Sequence, residues 1–365
     1  MNVLYDYQTL TMQRFGGISR YYYELAKGLS EKSGVTADVK TVFNVNHYFK
    51  DYFKKNKPES LPWFFKKANN AVNRAYVLMQ NKKKYDIIHP TYYHPYILDK
   101  FKGKYVVTIH DMIYEIYKDV MPDAEKVIAQ KKAHIFAADK IICVSEWTKR
   151  DLLKFYPQIG EEKIKVIYQG NGVRIDSDKK APKIKALENV EKYVLFTGNR
   201  GLYKNFKNMV KAIAETLKND KELYLVCGGG GAFDKEESEL LVKEGIFDKC
   251  IQLRYTEEET ASLYNNAECF VFPSLYEGFG IPILEAWECR CPLVLSNASC
   301  FPEIAGDAGV YFDGNSASDI KSAVEKVLYD DGLKAELTEK SLSRARLCGW
   351  DKTVNNTLDL YKSLL

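Results

Sequence analysis

The sequence predicts an α/β protein built from two doubly wound domains, each a parallel sheet covered by helices on both faces. Three observations predict it. At 365 residues the chain exceeds one ordinary hydrophobic core. Short apolar runs alternate with amphipathic helical patterns along most of its length. The alternation stops once, at the polar stretch QGNGVRIDSDKKAPKIKALENVE (169–191), and then restarts.

In the first half, residues 3–7, 37–43, 86–90, 104–110, 140–145 and 163–168 are apolar runs bounded by Gly, Pro or polar turns, and read as strands. Residues 18–30 and 123–138 read as helices between them. Runs without polar alternation are buried on both faces, which is the condition of a parallel sheet. In the second half, residues 193–197, 223–227, 250–254, 269–272 and 292–296 read as strands. Thr256 followed by Glu259 predicts a capping box opening a helix that runs to Asn266. The last stretch, 350–365, places Val354, Leu358, Tyr361 and Leu365 at helical spacing. The expected division is a domain over 1–170, a linker over 171–191, a second domain over 192–348 and a helix over 349–365, for which packing back on the first domain is one option. No sequence repeat relates the halves. Ligands of open parallel sheets bind beyond the carboxyl ends of the strands, so two such sheets facing each other predict an active site in a cleft.

Composition narrows the function class. No stretch approaches the roughly 18 uncharged apolar residues of a membrane span. The start, MNVLYDYQTL, lacks a basic segment followed by an apolar run, so a cytoplasmic protein is expected. The eight cysteines are scattered, and Cys289-Arg-Cys291 has neither the gap nor the partner pair of a zinc site, so buried thiols are expected. Positive charge is concentrated. Residues 48–84 hold ten Lys or Arg against Asp51 and Glu59, with Tyr48, Phe49, Tyr52, Phe53, Trp63, Phe64, Phe65 and Tyr76 interleaved. Two readings stay open: a segment lying on an anionic membrane surface at the cytoplasmic face, or a helical excursion with core aromatics and solvated lysines. No nucleic-acid partner is expected.

The stretch EGFGIPILEAWECRCP (277–292) carries the most chemistry. Gly278 and Gly280 let backbone approach a ligand, Pro282 suits a first helical turn, and the amides around residues 280–283 point outward from a helix N-terminus, an anion site most naturally taken by phosphate. Glu285 then lies about one turn into the helix, where a carboxylate beside phosphate suits the vicinal hydroxyls of a ribose. Glu277, before the glycines, suits a second polyol. A nucleoside diphosphate sugar fits this pattern.

Glu, seven residues, Glu resembles the signature of the retaining family 4 glycosyltransferases of the GT-B fold, with its two Rossmann-like domains. FGGISRYYYELA, TIHDM, VSEWTKRDLL, GNRGLYKN and FPEIAGDAGVYFD resemble the same family in order across nearly the whole chain. The resemblance implies that Glu285 binds the donor ribose, and that Glu277 binds the donor hexose with backbone of Gly278, Phe279, Gly280 and Ile281. It implies that Arg200 and Lys204 neutralise the diphosphate, that amides of Gly16 and Gly17 face it, and that His110 sits over the hexose near the reacting centre. His110, Glu277 and Lys204 are thus the expected catalytic residues.

Two departures stand out: the Arg-to-Lys spacing is four, one shorter than the family's commonest form, and Asn205 follows the lysine where the family often has Gly. Each residue has a plainer reading. Gly16-Gly17 could be a tight turn, Glu285 and Lys204 solvated charges, and His110-Asp111 a hydrogen-bonded pair at a strand end. Gly228 to Gly231 suggests a nucleotide loop or a close-packed turn. Asp176-Ser177-Asp178 has the form of a metal-binding motif but sits in polar linker sequence, so a solvated turn is expected.

The implied reaction moves a hexose, with a lean to mannose, from a GDP-sugar or UDP-sugar to a glycan or lipid-linked glycan, without metal or other cofactor. A nucleotide-sugar epimerase and a non-catalytic nucleotide-sugar binding protein are the alternatives.

Overall fold

A strand such as LYLVCG (223–228) has no polar face to turn to water, so it forms only where helices cover both sides. In the computed structural model, which describes residues 1–50, 65–171 and 181–365, every strand pairing is parallel and the strands gather into two six-stranded sheets. Lys54, Lys55, Lys57, Tyr52, Phe53, Trp63, Phe64 and the Asp176-Ser177-Asp178 motif lie outside the described residues.

The chain divides into two compact units, Met1–Gly170 with Trp350–Leu365, and Asn171–Gly349. The first contains β1 (Asn2–Tyr5), α1 (Gln8–Met12), α2 (Gly17–Ser30), β2 (Thr36–Val39), α3 (Lys66–Met79), β3 (Ile87–Ile88), β4 (Lys104–Ile109), α4 (Ile113–Ile116), α5 (Ala124–Ala137), β5 (Lys140–Cys143), α6 (Glu146–Phe155) and β6 (Ile164–Val166), in the order β2-β1-β3-β4-β5-β6. The second contains β7 (Lys192–Thr197), α7 (Phe206–Asn219), β8 (Leu223–Gly228), α8 (Lys235–Lys243), β9 (Cys250–Leu253), α9 (Thr260–Asn265), β10 (Cys269–Phe272), α10 (Ile281–Glu288), β11 (Leu293–Ser296), α11 (Phe301–Ala305), β12 (Val310–Phe312), α12 (Ala317–Leu328) and α13 (Asp331–Ala345), in the order β12-β11-β10-β7-β8-β9. The closing helix, α14 (Trp350–Lys362), belongs to the first unit.

That return is driven by its apolar stripe. Val354, Leu358, Leu360 and Tyr361 are buried in one cluster with Val3, Tyr5, Leu25 and Leu29, each such side chain contributing about 1.5–3 kcal/mol when fully buried. Burying the Tyr361 hydroxyl requires partners, and it has them: Tyr5 Oη at 2.9 Å and His89 Nδ1 at 2.5 Å, while His89 Nε2 meets Thr108 Oγ1 at 2.9 Å.

The structure departs from the sequence reading at three points. The strand expected over 37–43 ends at Val39, because the Val42 and Phe43 N–H groups donate to Asn73 Oδ1 of α3 (2.6 and 3.0 Å) instead of to a neighbouring strand. β12, only three residues long between Gly309 and Asp313, was not anticipated. The helix expected from Thr256 starts at Thr260. Glu259 accepts from the Thr256 N–H at 2.8 Å, the reciprocal half of a capping box, but residues 257–259 form a turn. In addition, the described part of the polar stretch read as a linker is packed within its unit: Leu187 and Val190 are buried, Ala181 N–H donates to Asn265 Oδ1, and Asn266 Nδ2 donates to the Ala181 carbonyl.

Candidate functional site

In the second sheet the winding reverses between β7 and β10: β8 and β9 extend to one side, β11 and β12 to the other. The carboxyl ends of β7 and β10 therefore flank the crevice where doubly wound folds take ligands. Two loops leave those ends and are tied together by Leu275 N–H donating to the Tyr203 carbonyl at 2.7 Å. The β7 loop delivers Lys204 and the β10 loop delivers Glu277. Lys204 Nζ lies 2.6 Å from Glu277 Oε1, with side chains 20% and 13% exposed. The structure thus joins two expected site residues that are 73 positions apart.

Local backbone chemistry sets both. Asn205 adopts the left-handed conformation (φ 59°) that lets the chain turn from the Lys204 loop into α7. Asn tolerates it, and its side chain, rather than capping the helix, donates to the Gly314 carbonyl at 2.7 Å. The Glu277 N–H donates to Ser299 Oγ at 3.0 Å. Gly280 has φ +87°, and a Cβ there would meet Ile283 Cδ1 at 3.1 Å and Phe301 Cε1 at 3.2 Å, so glycine is required on both counts. Gly278, Phe279 and Gly280 are buried, and Ile281 starts α10 with Pro282 in its first turn.

Glu285 is held from beneath. The hydroxyl of Tyr264, fully buried on α9, donates to Glu285 Oε2 at 3.1 Å and lies 3.1 Å from Thr197 Oγ1 at the end of β7. A phenol has one proton, and the carboxylate is the stronger acceptor, so Thr197 donates to the phenol oxygen. Burial raises the Tyr264 phenol well above its usual range, and the Glu285 charge adds to that. Sequence reasoning missed Tyr264, which reads there as one apolar position of a helix.

Arg200 has partners that the sequence reading did not foresee. Its guanidinium is buried and inserted into the glycine loop: Nε donates to Glu237 Oε1 at 3.0 Å, Nη1 to the Gly229 carbonyl, and Nη2 to the carbonyls of Gly231 and Ala232 at 2.9 Å each. It also lies over the Phe233 ring, 4.9 Å from the centroid. No hydrogen bond joins it to Lys204, and the partners it has follow from the backbone of the loop. Gly229, Gly230 and Gly231 all take positive φ (76°, 70° and 80°), which turns their carbonyls inward where only a multidentate cation can satisfy them. The loop is the close-packed turn of the two readings, built around Arg200.

In the first unit, Gly16 is the N-cap of α2 and Gly17 its first residue, both at least partly exposed. His110 follows β4. It is buried, its ring is met edge-on by Tyr21 at 5.2 Å, and its Nε2 has no hydrogen-bond partner among the described residues. Burial pushes its pKa down to about 4, with the Lys131 charge acting in the same direction and Asp111 opposing. The imidazole is therefore neutral near pH 7. It does not pair with Asp111, whose Oδ1 accepts from the Ile113 N–H at 3.1 Å. The adjacent backbone is fixed by Lys131, which donates to the Asp111 carbonyl at 3.0 Å and pairs with buried Glu115 at 2.8 Å.

Among the described residues no cluster of three or more His, Cys, Asp or Glu is placed to hold a metal ion, and no helix is long and apolar enough to cross a membrane. The cysteines are free thiols, and burial raises most of them.

Comparison with known proteins joins both units to one description. The Glycosyltransferase Family 4 model matches residues 15–175, and the Glycosyl transferases group 1 model matches residues 177–344. O-antigen chain mannosyltransferase B of Escherichia coli is 27% identical over 294 residues, covering 78% of this chain and 76% of the relative. The serotype-specific mannosyltransferase WbdA of E. coli is 25% identical over 73% of this chain, which spans 34% of that longer protein. The crystal structure of Anabaena HepE in complex with UDP and glucose has a TM-score of 0.76 at 15% identity, covering 100% of this chain and 99% of that one. That likeness carries the GT-B fold of two Rossmann-like domains.

Proposed function

From the premise that the chain belongs to the glycosyltransferases, within family 4 and group 1, we propose that it moves a hexose, mannose foremost, from a nucleoside diphosphate sugar to a glycan or lipid-linked glycan with retention of configuration. The observation that carries this is the Lys204–Glu277 pair at the turning point of the second sheet, beside the Gly280-led helix and Glu285. Before donor arrives, the two charges satisfy each other. Donor binding exchanges partners: Lys204 turns to the diphosphate, Glu277 to hexose hydroxyls, and Glu285 to the ribose. Amides of residues 279–281 complete the diphosphate contacts.

In the transfer, the bond between the anomeric carbon and the phosphate oxygen breaks with its electron pair going to the diphosphate. The acceptor oxygen bonds to the same face. Its proton passes to the departing phosphate oxygen, so no strong protein base is required. A neutral His110 of low basicity suits hydrogen bonding and positioning rather than proton abstraction. Arg200 is left out of this set. Neutralisation by Lys204 and helix-end amides is proposed to suffice without a divalent ion.

The membrane reading of residues 48–84 also gains support. On α3, Ala68, Ala71, Val72, Ala75 and Met79 form an exposed apolar stripe, with Lys67 before it and Lys82, Lys83 and Lys84 beyond, and no carboxylate occurs between residues 60 and 85. Binding to anionic vesicles should fall when these lysines are changed to Glu; unchanged binding would remove the membrane from the proposal.

The direct test incubates the chain with GDP-mannose, or UDP-hexoses as controls, and a glycan acceptor, and follows nucleoside diphosphate release with and without chelator. Lys204→Ala and Glu277→Ala should each lower kcat by about two orders of magnitude or more, the usual loss for a group acting on transition-state charge. Full activity in both variants would overturn the site. Loss of activity in chelator would overturn metal independence.

A further inference from the structure

The first unit has a turning point of its own. Its order reverses between β1 and β3, which places the residues after those strands, Asp6 to Gln8 and Thr91 to His94, at the crevice where such sheets take ligands. Asp6 is an organiser there. Its carboxylate accepts from the Thr91 N–H (2.8 Å), the Thr91 hydroxyl (2.8 Å), the Gln8 amide (2.7 Å) and the Tyr96 hydroxyl (2.9 Å), so its lone pairs are committed.

Beside it the balance of donors and acceptors does not close. Arg74, on α3, lies with its guanidinium over the Tyr96 ring at 5.6 Å and its Nη2 3.0 Å from His94 Nε2. The other imidazole nitrogen, Nδ1, faces the Tyr96 N–H at 3.3 Å. A neutral imidazole has one acceptor nitrogen, yet both of its nitrogens meet donors, so either tautomer directs an N–H at another N–H. Protonation worsens the conflict, and burial together with Arg74 lowers the His94 pKa. Arg74 Nε is buried with no acceptor. One helical turn earlier on the same face, Asn70 keeps its amide oxygen buried and without a partner among the described residues. Arg74 has no ion pair among them, and its remaining side-chain partner is the Tyr7 hydroxyl.

We infer that Arg74, His94 and Asn70 form an oxyanion subsite for the acceptor: a phosphate or carboxylate oxygen accepts from the guanidinium and the imidazole N–H, and a neighbouring ligand hydroxyl donates to Asn70. The subsite selects a phosphorylated or uronic acid sugar over a neutral one. Its acceptor role rests on the glycosyltransferase reading, but its anion binding does not, and the two fail separately.

The test labels arginines of the full chain with phenylglyoxal in saturating GDP, which occupies the donor site, and reads Arg74 by peptide mass spectrometry. Inorganic phosphate or methyl glucuronide, at about ten times its Kd, should slow Arg74 labelling by roughly tenfold through mass action. Neutral methyl glucoside should not. Comparing the two anions tells phosphate from carboxylate. In His94→Leu the protection should weaken. Equal labelling with and without anions, no labelling at all, or protection by GDP alone would overturn the subsite. Anion protection in a chain that transfers no hexose would leave the subsite standing and sink the enzymatic reading instead.

Discussion

Arg200→Met tests whether the guanidinium is a structural cation or a ligand for the donor. The change leaves Glu237 buried without its partner and strips donors from the inward carbonyls of the glycine loop. Breaking a buried pair from one side costs about 3–5 kcal/mol. The carbonyls could add to it, but the loop can relax toward water, so the pair alone is taken as the size of the effect. For a unit of this length each kcal/mol lowers Tm by about 2–4 °C, giving a fall of roughly 10 °C. Differential scanning calorimetry of the full chain measures it. Adding Glu237→Gln should recover part of the loss, because glutamine keeps the acceptor that caps α8 through the Asp234 N–H while removing the stranded charge. If Arg200→Met left Tm within about 2 °C, well below what losing a buried pair costs, and abolished nucleotide binding, Arg200 would be the diphosphate cation and the argument from burial would fail.

Three further outcomes are expected. Tyr264→Phe should reduce discrimination between GDP and its 2′-deoxy analogue by roughly tenfold, the worth of a hydrogen bond to a charged group; wild-type chain that binds both equally would refute the ribose assignment, whereas discrimination retained in the variant would refute only the part played by Tyr264. Gly280→Ala forces a left-handed residue against Ile283 and Phe301, so nucleotide affinity measured calorimetrically should drop, and an unchanged Kd would show that α10 does not start at the ligand. The third concerns acid. His89, His110 and His134 are held by burial at about 3, 4 and 4, below their unfolded value near 6.5. The unfolded chain takes up protons first, so their contribution is full above about pH 6.5 and declines as pH falls toward 4, by up to about 1.4 kcal/mol per pH unit for each histidine. Urea midpoints at pH 7 and pH 5 report it; equal midpoints would mean that the rings titrate normally.

Much of the fold was legible because its determinants are local. A run such as Cys269 to Phe272 declares a doubly covered strand by itself, and the stripe of Val354, Leu358 and Tyr361 declares a helix. What failed depended on distant partners. Nothing near Val42 announces that Asn73 will take its N–H, and a three-residue strand such as β12 is too short for periodicity to register. The site divides the same way. Gly280, Pro282 and Glu285 are readable because a helix start has a local grammar. The fate of Arg200 is not, since its partners lie 29 to 37 residues away on a loop whose geometry depends on the arginine itself. Tyr264 was silent for a related reason: a phenol in an apolar helical position looks like packing until the carboxylate above it is seen.

The return of α14 to the first unit also orders events during synthesis. Tyr5 and Tyr361 are 356 positions apart, yet they share a buried hydrogen bond that also engages His89. The second unit, continuous from Asn171 to Gly349, has all of its strands before that helix is translated, while the first keeps an uncovered apolar face until α14 has been made. Vectorial synthesis therefore makes the unit that is begun first the one completed later.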